Sequence, residues 1–192
     1  SGTAMNQFNT PRGVSLNPSS NGFYVADQYN HRIMYYAPGA ATGVLAAGGN
    51  DCGSLATQLC EPVGMQYDSV SNSLFIANFK SHTLVYWTIG ANESTLISGV
   101  YNSAGSTSTL LKQPTGFVLD SMGNIFLADT GNHRIILFMK GQGNGTTIAG
   151  VAGNSNSSLS HLNMPFWVSI DSRYNLYVSD RNNQRIIKFL SK

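Results

Sequence analysis

The segment Ala26–Tyr36, ADQYNHRIMYY, is written again at Ala128–Phe138 as ADTGNHRIILF, with Asp, Asn, His, Arg and Ile at the same offsets. A catalytic motif is normally needed once, whereas a structural unit recurs as often as the fold repeats it, so internal repetition constrains the architecture before any other feature. Two imperfect copies follow the same scheme. Ala77–Trp87 (ANFKSHTLVYW) keeps Ala and His but carries Asn78 for Asp and Thr83 for Arg; Ser179–Phe189 (SDRNNQRIIKF) keeps Asp, Asn, Arg and Ile but carries Gln184 for His. Asp27, Asn78, Asp129 and Asp180 then stand at a constant step of 51 residues. A proline opens an apolar stretch ahead of each copy (Pro11, Pro62, Pro114, Pro165), and an apolar run ending in glycine follows the first three. The 192 residues therefore divide into four repeats, approximately 1–49, 50–99, 100–150 and 151–192, forming one region.

Each repeat has the pattern of strands alone. In the third, short β-branched and aromatic runs at 116–120, 124–129, 133–139 and 145–150 are bounded by the turn sequences SMG, TGN and KGQGN. Ile135 to Met139 is continuously apolar rather than alternating, as in strands covered on both faces. No segment has a helical stripe. A four-stranded antiparallel unit, repeated and covered on both faces, is a propeller blade stacked between neighbours, so the expected class is an all-β β-propeller of four-stranded antiparallel blades.

Pro-x-Gly-Val, then Tyr/Phe-x-Ala-Asp, then Asn-His-Arg-Ile resembles the NHL repeat, over essentially the whole chain. The resemblance implies four NHL-type repeats forming part of a six-bladed ring. The 51-residue step exceeds the ~40–45 of ordinary propeller repeats, and the excess lies in Gly/Ser/Asn-rich connections such as 102–113. The fourth repeat has no outer strand after 184–192, so the expectation is fifteen strands in an incomplete ring with an unpaired edge at Ile186–Leu190, the alternative being a closed four-bladed propeller.

The repeated motif is expected to be scaffold. Asp27, Asp129 and Asp180, with Asn78 in the second copy, end a strand where an acceptor can take turn N–H groups, while Gly131 and Asn132 suit left-handed turn positions. Arg32, Arg134 and Arg185 can aim their forks at a carboxylate or at carbonyls. His31, His82 and His133 recur once per blade, too far apart to surround one ion, so no metal is expected there. Asp68, Asp120 and Asp171 close first strands, and Asp51, Glu61 and Glu93 lie in connections, with no paired carboxylates for acid–base work. Neither Gly-x-Ser-x-Gly nor His-Glu-x-x-His occurs, and KGQGNGTT (140–147) lacks the Gly-Lys-Ser/Thr ending of a phosphate loop. The reading is a non-catalytic binding scaffold with no cofactor, whose inter-blade loops meet a protein or peptide ligand through Arg12, Tyr29, Lys80, Lys112 and Arg181.

Two alternatives follow from the resemblance. Amidating lyases acting on peptidyl-hydroxyglycine have similar blades and place zinc histidines directly after the blade proline, where this chain has Arg12, Val63, Thr115 and Phe166; Tyr29 matches only their turn tyrosine. NHL domains of ubiquitin-ligase-type proteins bind RNA through a basic face, but a net charge of +2 and the acids Asp51 and Glu61 among the loop lysines supply no dense patch. No apolar stretch approaches the ~20 residues of a membrane span. Cys52 and Cys60 lie in one connection and are expected to form a disulfide, which points to an extracellular or secreted location; unpaired, they would fit a cytoplasmic one.

Overall fold

The computed structural model describes residues 1–191. Among the described residues, fifteen strands form four antiparallel meanders. Blade 1 is β1 (Pro11–Asn17), β2 (Gly22–Asp27), β3 (Arg32–Tyr36) and β4 (Val44–Gly48); blade 2 is β5 (Pro62–Asp68), β6 (Ser73–Asn78), β7 (Thr83–Thr88) and β8 (Thr95–Gly99). Blade 3 is β9 (Pro114–Leu119), β10 (Ile125–Asp129), β11 (Arg134–Phe138) and β12 (Thr146–Gly150). Blade 4 has three strands, β13 (Pro165–Ile170), β14 (Leu176–Asp180) and β15 (Arg185–Phe189).

The continuous apolar runs are explained by where alternate residues go. Successive side chains on a strand point to opposite faces, and here each face meets a different blade. Ile135 joins the cluster between blades 3 and 4, with Val168, Val178 and Ile187, while its neighbour Ile136 joins the cluster between blades 2 and 3, with Leu84 and Phe117. Blades 1 and 2 are joined by Ala26, Ile33 and Ala47 against Met65, Ile76, Val85 and Trp87. Leu59, Leu111 and Leu162, one from each inter-blade loop, are fully buried within these joints. At ~1.5–3 kcal/mol for each buried Leu or Ile, the joints rather than the single blades hold the array together.

Glycine after the blade proline has a steric cause. A Cβ on Gly13 would meet Val63 O, one on Gly64 would meet Thr115 O, and one on Gly116 would meet Phe166 O and the Trp167 ring. Each glycine thus lets the inner strand of the next blade approach. In blade 4 the same position is Trp167, 40% exposed, with no following blade against it among the described residues.

The blades form an open arc. No hydrophobic cluster joins blade 4 to blade 1 among the described residues. Val14 is 65% exposed where its counterparts Met65, Phe117 and Val168 are at most 5% exposed, and Ile186 is 70% exposed where Ile33, Leu84 and Ile135 are fully buried. The outward face of blade 1 is partly covered by Phe8, which packs with Val25, Met34 and Tyr36.

Candidate functional site

The repeated Asp and Arg form one buried clamp in blades 1, 3 and 4. Arg Nε donates to Asp Oδ2 at 2.8 Å in all three pairs, Arg32–Asp27, Arg134–Asp129 and Arg185–Asp180. The same oxygen accepts the amide of Asn30, Asn132 or Asn183, and Oδ1 accepts the backbone N–H of Asn9, Lys112 or Asn163 from the loop ahead of the blade. The Arg fork then donates to three loop carbonyls: Thr3, Ala4 and Gln7 for Arg32; Ser106, Thr107 and Leu110 for Arg134; Ser157, Ser158 and His161 for Arg185. This clamp gives a long, polar inter-blade loop a defined path. The carboxylates were expected to serve the turn backbone; instead they reach back 17 or 18 residues to the loop.

The histidines have a second scaffold role. His31, His82 and His133 follow the strand-two-to-three turn with φ of 52°, 61° and 57°. The left-handed position is therefore the histidine itself, a correction to the assignment of Gly131 and Asn132, which lie within a short 3₁₀ turn, Thr130–Asn132. In this conformation each Nδ1 accepts an N–H from the next blade: Glu61 to His31 at 3.2 Å, Gln113 to His82 at 3.1 Å and Met164 to His133 at 3.1 Å. The donor is always the residue before the blade proline, so the histidine pins consecutive blades. An Nδ1 acceptor requires the neutral ring with its proton on Nε2. Burial pushes the pKa of His82 down, helped by Lys80 and Lys112, and burial and Lys112 do the same at His133 against the pull of Asp180.

Blade 2 departs from the clamp and shows what replaces it. Asn78 Oδ1 still accepts the Cys60 N–H, but Thr83 offers no fork and bonds within Ser81 and Asn78. The loop ahead of this blade carries the Cys52–Cys60 disulfide, with Cα atoms 4.4 Å apart. A covalent staple thus stands where the Arg fork stands elsewhere. His31 lies beside it, its ligand atom within 4.8 Å of both sulfurs. A metal takes thiolates, and the disulfide engages both sulfurs while Glu61 occupies His31 Nδ1.

The sequence-selected surface residues share the face of inter-blade loops and strand-two-to-three turns. Arg12, Tyr29, Lys80, Lys112 and Arg181 are all exposed. Arg12 Nε donates to Gln28, whose amide donates to Glu61, and Arg181 lies 5.6 Å over the Phe166 ring. The backbone beneath them is held by one recurring bond from turn to loop: Tyr29 N–H to Asn9 O, Lys80 to Cys60, Gly131 to Lys112 and Asn182 to Asn163.

The acids that close the first strands of blades 2 to 4, Asp68, Asp120 and Asp171, are held by their own turns. Asp120 accepts Met122 and Asn124 N–H groups and the Asn124 amide. The Asn175 amide and neighbouring N–H groups hold the Asp171 carboxyl down to about 2. A contact that the sequence does not signal is His161 Nδ1 at 2.8 Å from Ser158 Oγ, in an exposed loop; among the described residues no carboxylate is hydrogen-bonded to the ring, as a nucleophilic triad requires.

An NHL repeat model matches residues 8–33 and 111–138. The chain has no match among curated proteins. Among solved structures it is similar to a Bacteroides thetaiotaomicron protein of unknown function (TM-score 0.76, 17% identity, 94% of this chain and 47% of that one). It is similar also to an auxiliary nutrient binding protein from the same organism (TM-score 0.72, 20% identity, 92% and 46%) and to a gluconolactonase from Xanthomonas campestris (TM-score 0.74, 13% identity, 99% and 61%). The chain spans about half the length of the first two, and identities this low carry the fold alone. Both matched segments contain the Asp–Asn–His–Arg scheme whose bonds recur from blade to blade, and the chain is a β-propeller that carries NHL repeats at these two places.

Proposed function

We propose that the protein is a non-catalytic binding scaffold whose ligand, a protein or peptide, is met by the inter-blade-loop face. The observation that carries this reading is the division of labour within each repeat. The ionisable residues of the motif are spent on the clamp and the blade pins, while Tyr29, Lys80, Lys112 and Arg181 project from backbone fixed by the turn-to-loop bonds. A face whose backbone is already ordered loses little entropy when it binds, which favours recognition, and conserving a scaffold while loops vary is how propellers acquire ligands. The auxiliary nutrient binding protein among the similar structures is compatible with such a role. The disulfide favours an extracellular or secreted site of action.

Enzymatic relatives of this fold supply the competing reading, a gluconolactonase among them. The test has two arms. Photo-crosslinking from a benzoylphenylalanine at Tyr29 is compared with the same probe at Tyr174, an exposed residue at the opposite ends of the strands. Protein or peptide adducts specific to Tyr29 and abolished by Lys80→Glu with Lys112→Glu are expected; adducts insensitive to those changes would move the ligand elsewhere. Turnover of a gluconolactone by the full chain, with or without divalent metal, would overturn the non-catalytic reading.

A further inference from the structure

The three inter-blade joints are not filled equally. Between blades 1 and 2, Tyr24, Tyr35 and Tyr67 pack ring against ring, with centroids 5.0 and 5.1 Å apart. Five residues after the blade proline, Tyr67 has Leu119 as its counterpart in blade 3. The corresponding rings of blade 2, Phe75 and Tyr86, are 6.2 Å apart and line a cavity of about 830 Å³. That volume lies in the range of ligand sites, ~300–1,000 Å³. The cavity opens on the face of strand-one-to-two and strand-three-to-four turns, bounded by 68–71 of blade 2 and by 120–123 and 139–143 of blade 3, the end of the blades opposite Tyr29 and Lys80.

Three features of this groove select its ligand. Its apolar wall continues to the surface, with Leu96, Met122 and Met139 42%, 60% and 47% exposed. Its outer boundary is the edge of a sheet. Strand β8 pairs only with β7, and Thr95, Leu96 and Ile97 line the groove. Ser94, just before the strand, and Gly99, its last residue, give their N–H groups to Ala56 and Thr109, and Gly143 lies against the Ile97 carbonyl, but no loop or side-chain hydrogen bond falls on Leu96 among the described residues. Finally, the charged groups on the rim are Asp68, Asp120 and Lys140, two carboxylates against one ammonium. Both carboxylates are fixed by their turns, Asp68 by Val70 N–H and by the N–H and hydroxyl of Ser71. The Gln66 carboxamide oxygen accepts the Leu119 N–H, which leaves its NH₂ as a donor toward the cavity.

We propose that this groove is a second binding site, for an extended peptide segment that places an aromatic or long aliphatic side chain between Phe75, Tyr86 and Leu119 and a Lys or Arg beside the Asp68–Asp120 rim. The β8 edge supplies main-chain hydrogen bonds, as in strand addition at an exposed sheet edge, and the cavity supplies the side-chain preference. The site is independent of the inter-blade-loop face, and neither reading requires the other.

The test uses the full chain and a displayed library of random dodecapeptides. Enriched sequences are expected to pair an aromatic or long aliphatic residue with a Lys or Arg within two positions. For the synthetic peptide of the best sequence, Leu96→Ser with Met139→Ser, both at exposed positions, weakens binding at least tenfold. Lys140→Gln removes the opposing ammonium and tightens it about threefold, and 0.5 M salt weakens it. Tyr29→Ala and Lys80→Glu leave it unchanged. Enrichment of acidic peptides, no enrichment at all, or binding indifferent to Leu96→Ser/Met139→Ser would overturn the site. Peptides whose binding depends on Tyr29 and Lys80 would overturn it while supporting the loop face.

Discussion

Removing one carboxylate from a clamp shows most directly what the repeated motif is for. Asp129 is fully buried and accepts three bonds, from Lys112 N–H at 2.7 Å, Asn132 Nδ2 at 2.8 Å and Arg134 Nε at 2.8 Å. Asp129→Ala orphans all three donors at once. Arg134 keeps the carbonyls of Ser106, Thr107 and Leu110, but its side chain is 3% exposed and loses its counter-ion Asp129. Breaking a buried ion pair from one side costs about 3–5 kcal/mol, a large share of the ~5–15 kcal/mol that holds a domain folded. With a urea m-value of about 2 kcal/mol/M, the midpoint falls by about 2 M. The double variant Asp129→Asn/Arg134→Thr copies the Asn78/Thr83 pair of blade 2. It removes both charges together and leaves no buried ion unpaired; the fork's bonds to the Ser106, Thr107 and Leu110 carbonyls are lost as well, and the net cost is expected to be about 1–3 kcal/mol, below that of the single variant. Equilibrium urea unfolding followed by tryptophan fluorescence measures both. An Asp129→Ala protein within about 0.5 kcal/mol of wild type, or a double variant less stable than the single one, would refute the assignment of Asp129 to a buried charge clamp.

Cys52→Ser with Cys60→Ser opens a loop with a sequence separation of 8, a loss of about 2–3 kcal/mol in the chain-entropy model; adding Asn78→Asp and Thr83→Arg should return part of it, measured in the same urea titration. The blade pins predict a pH dependence. Burial lowers the pKa of His82 and His133 in the fold, whereas the unfolded value is about 6.5, so the unfolded chain binds more protons in the interval between. Their contribution is complete above about pH 6.5 and is lost as pH falls through the lower folded value. His82→Gln/His133→Gln, using the residue found naturally at Gln184, should flatten that part of the stability–pH curve between pH 7.5 and 5; an unchanged slope would show that the histidines do not bear it.

The sequence by itself determined the repeat, the strand content and the identity of the core, because these depend on short-range patterns. A 51-residue step and near-continuous apolar runs require strands covered on both sides, and Ile135 and Ile136 supply both sides from adjacent positions. Two cysteines in one loop were enough to predict their bond. What only the tertiary structure decided involves partners on different blades or far along the chain. That His31, His82 and His133 hold the next blade cannot be read from one repeat, since the donor precedes a proline about thirty residues later. The glycine after that proline looks like a turn residue in sequence and is in fact a point of backbone approach between blades. In the groove between blades 2 and 3, Leu119 stands where a tyrosine closes the preceding joint, and the space left beside it exists only when two blades are set side by side. Sequence periodicity records which face a side chain takes, whereas the volume left between two faces depends on both blades together.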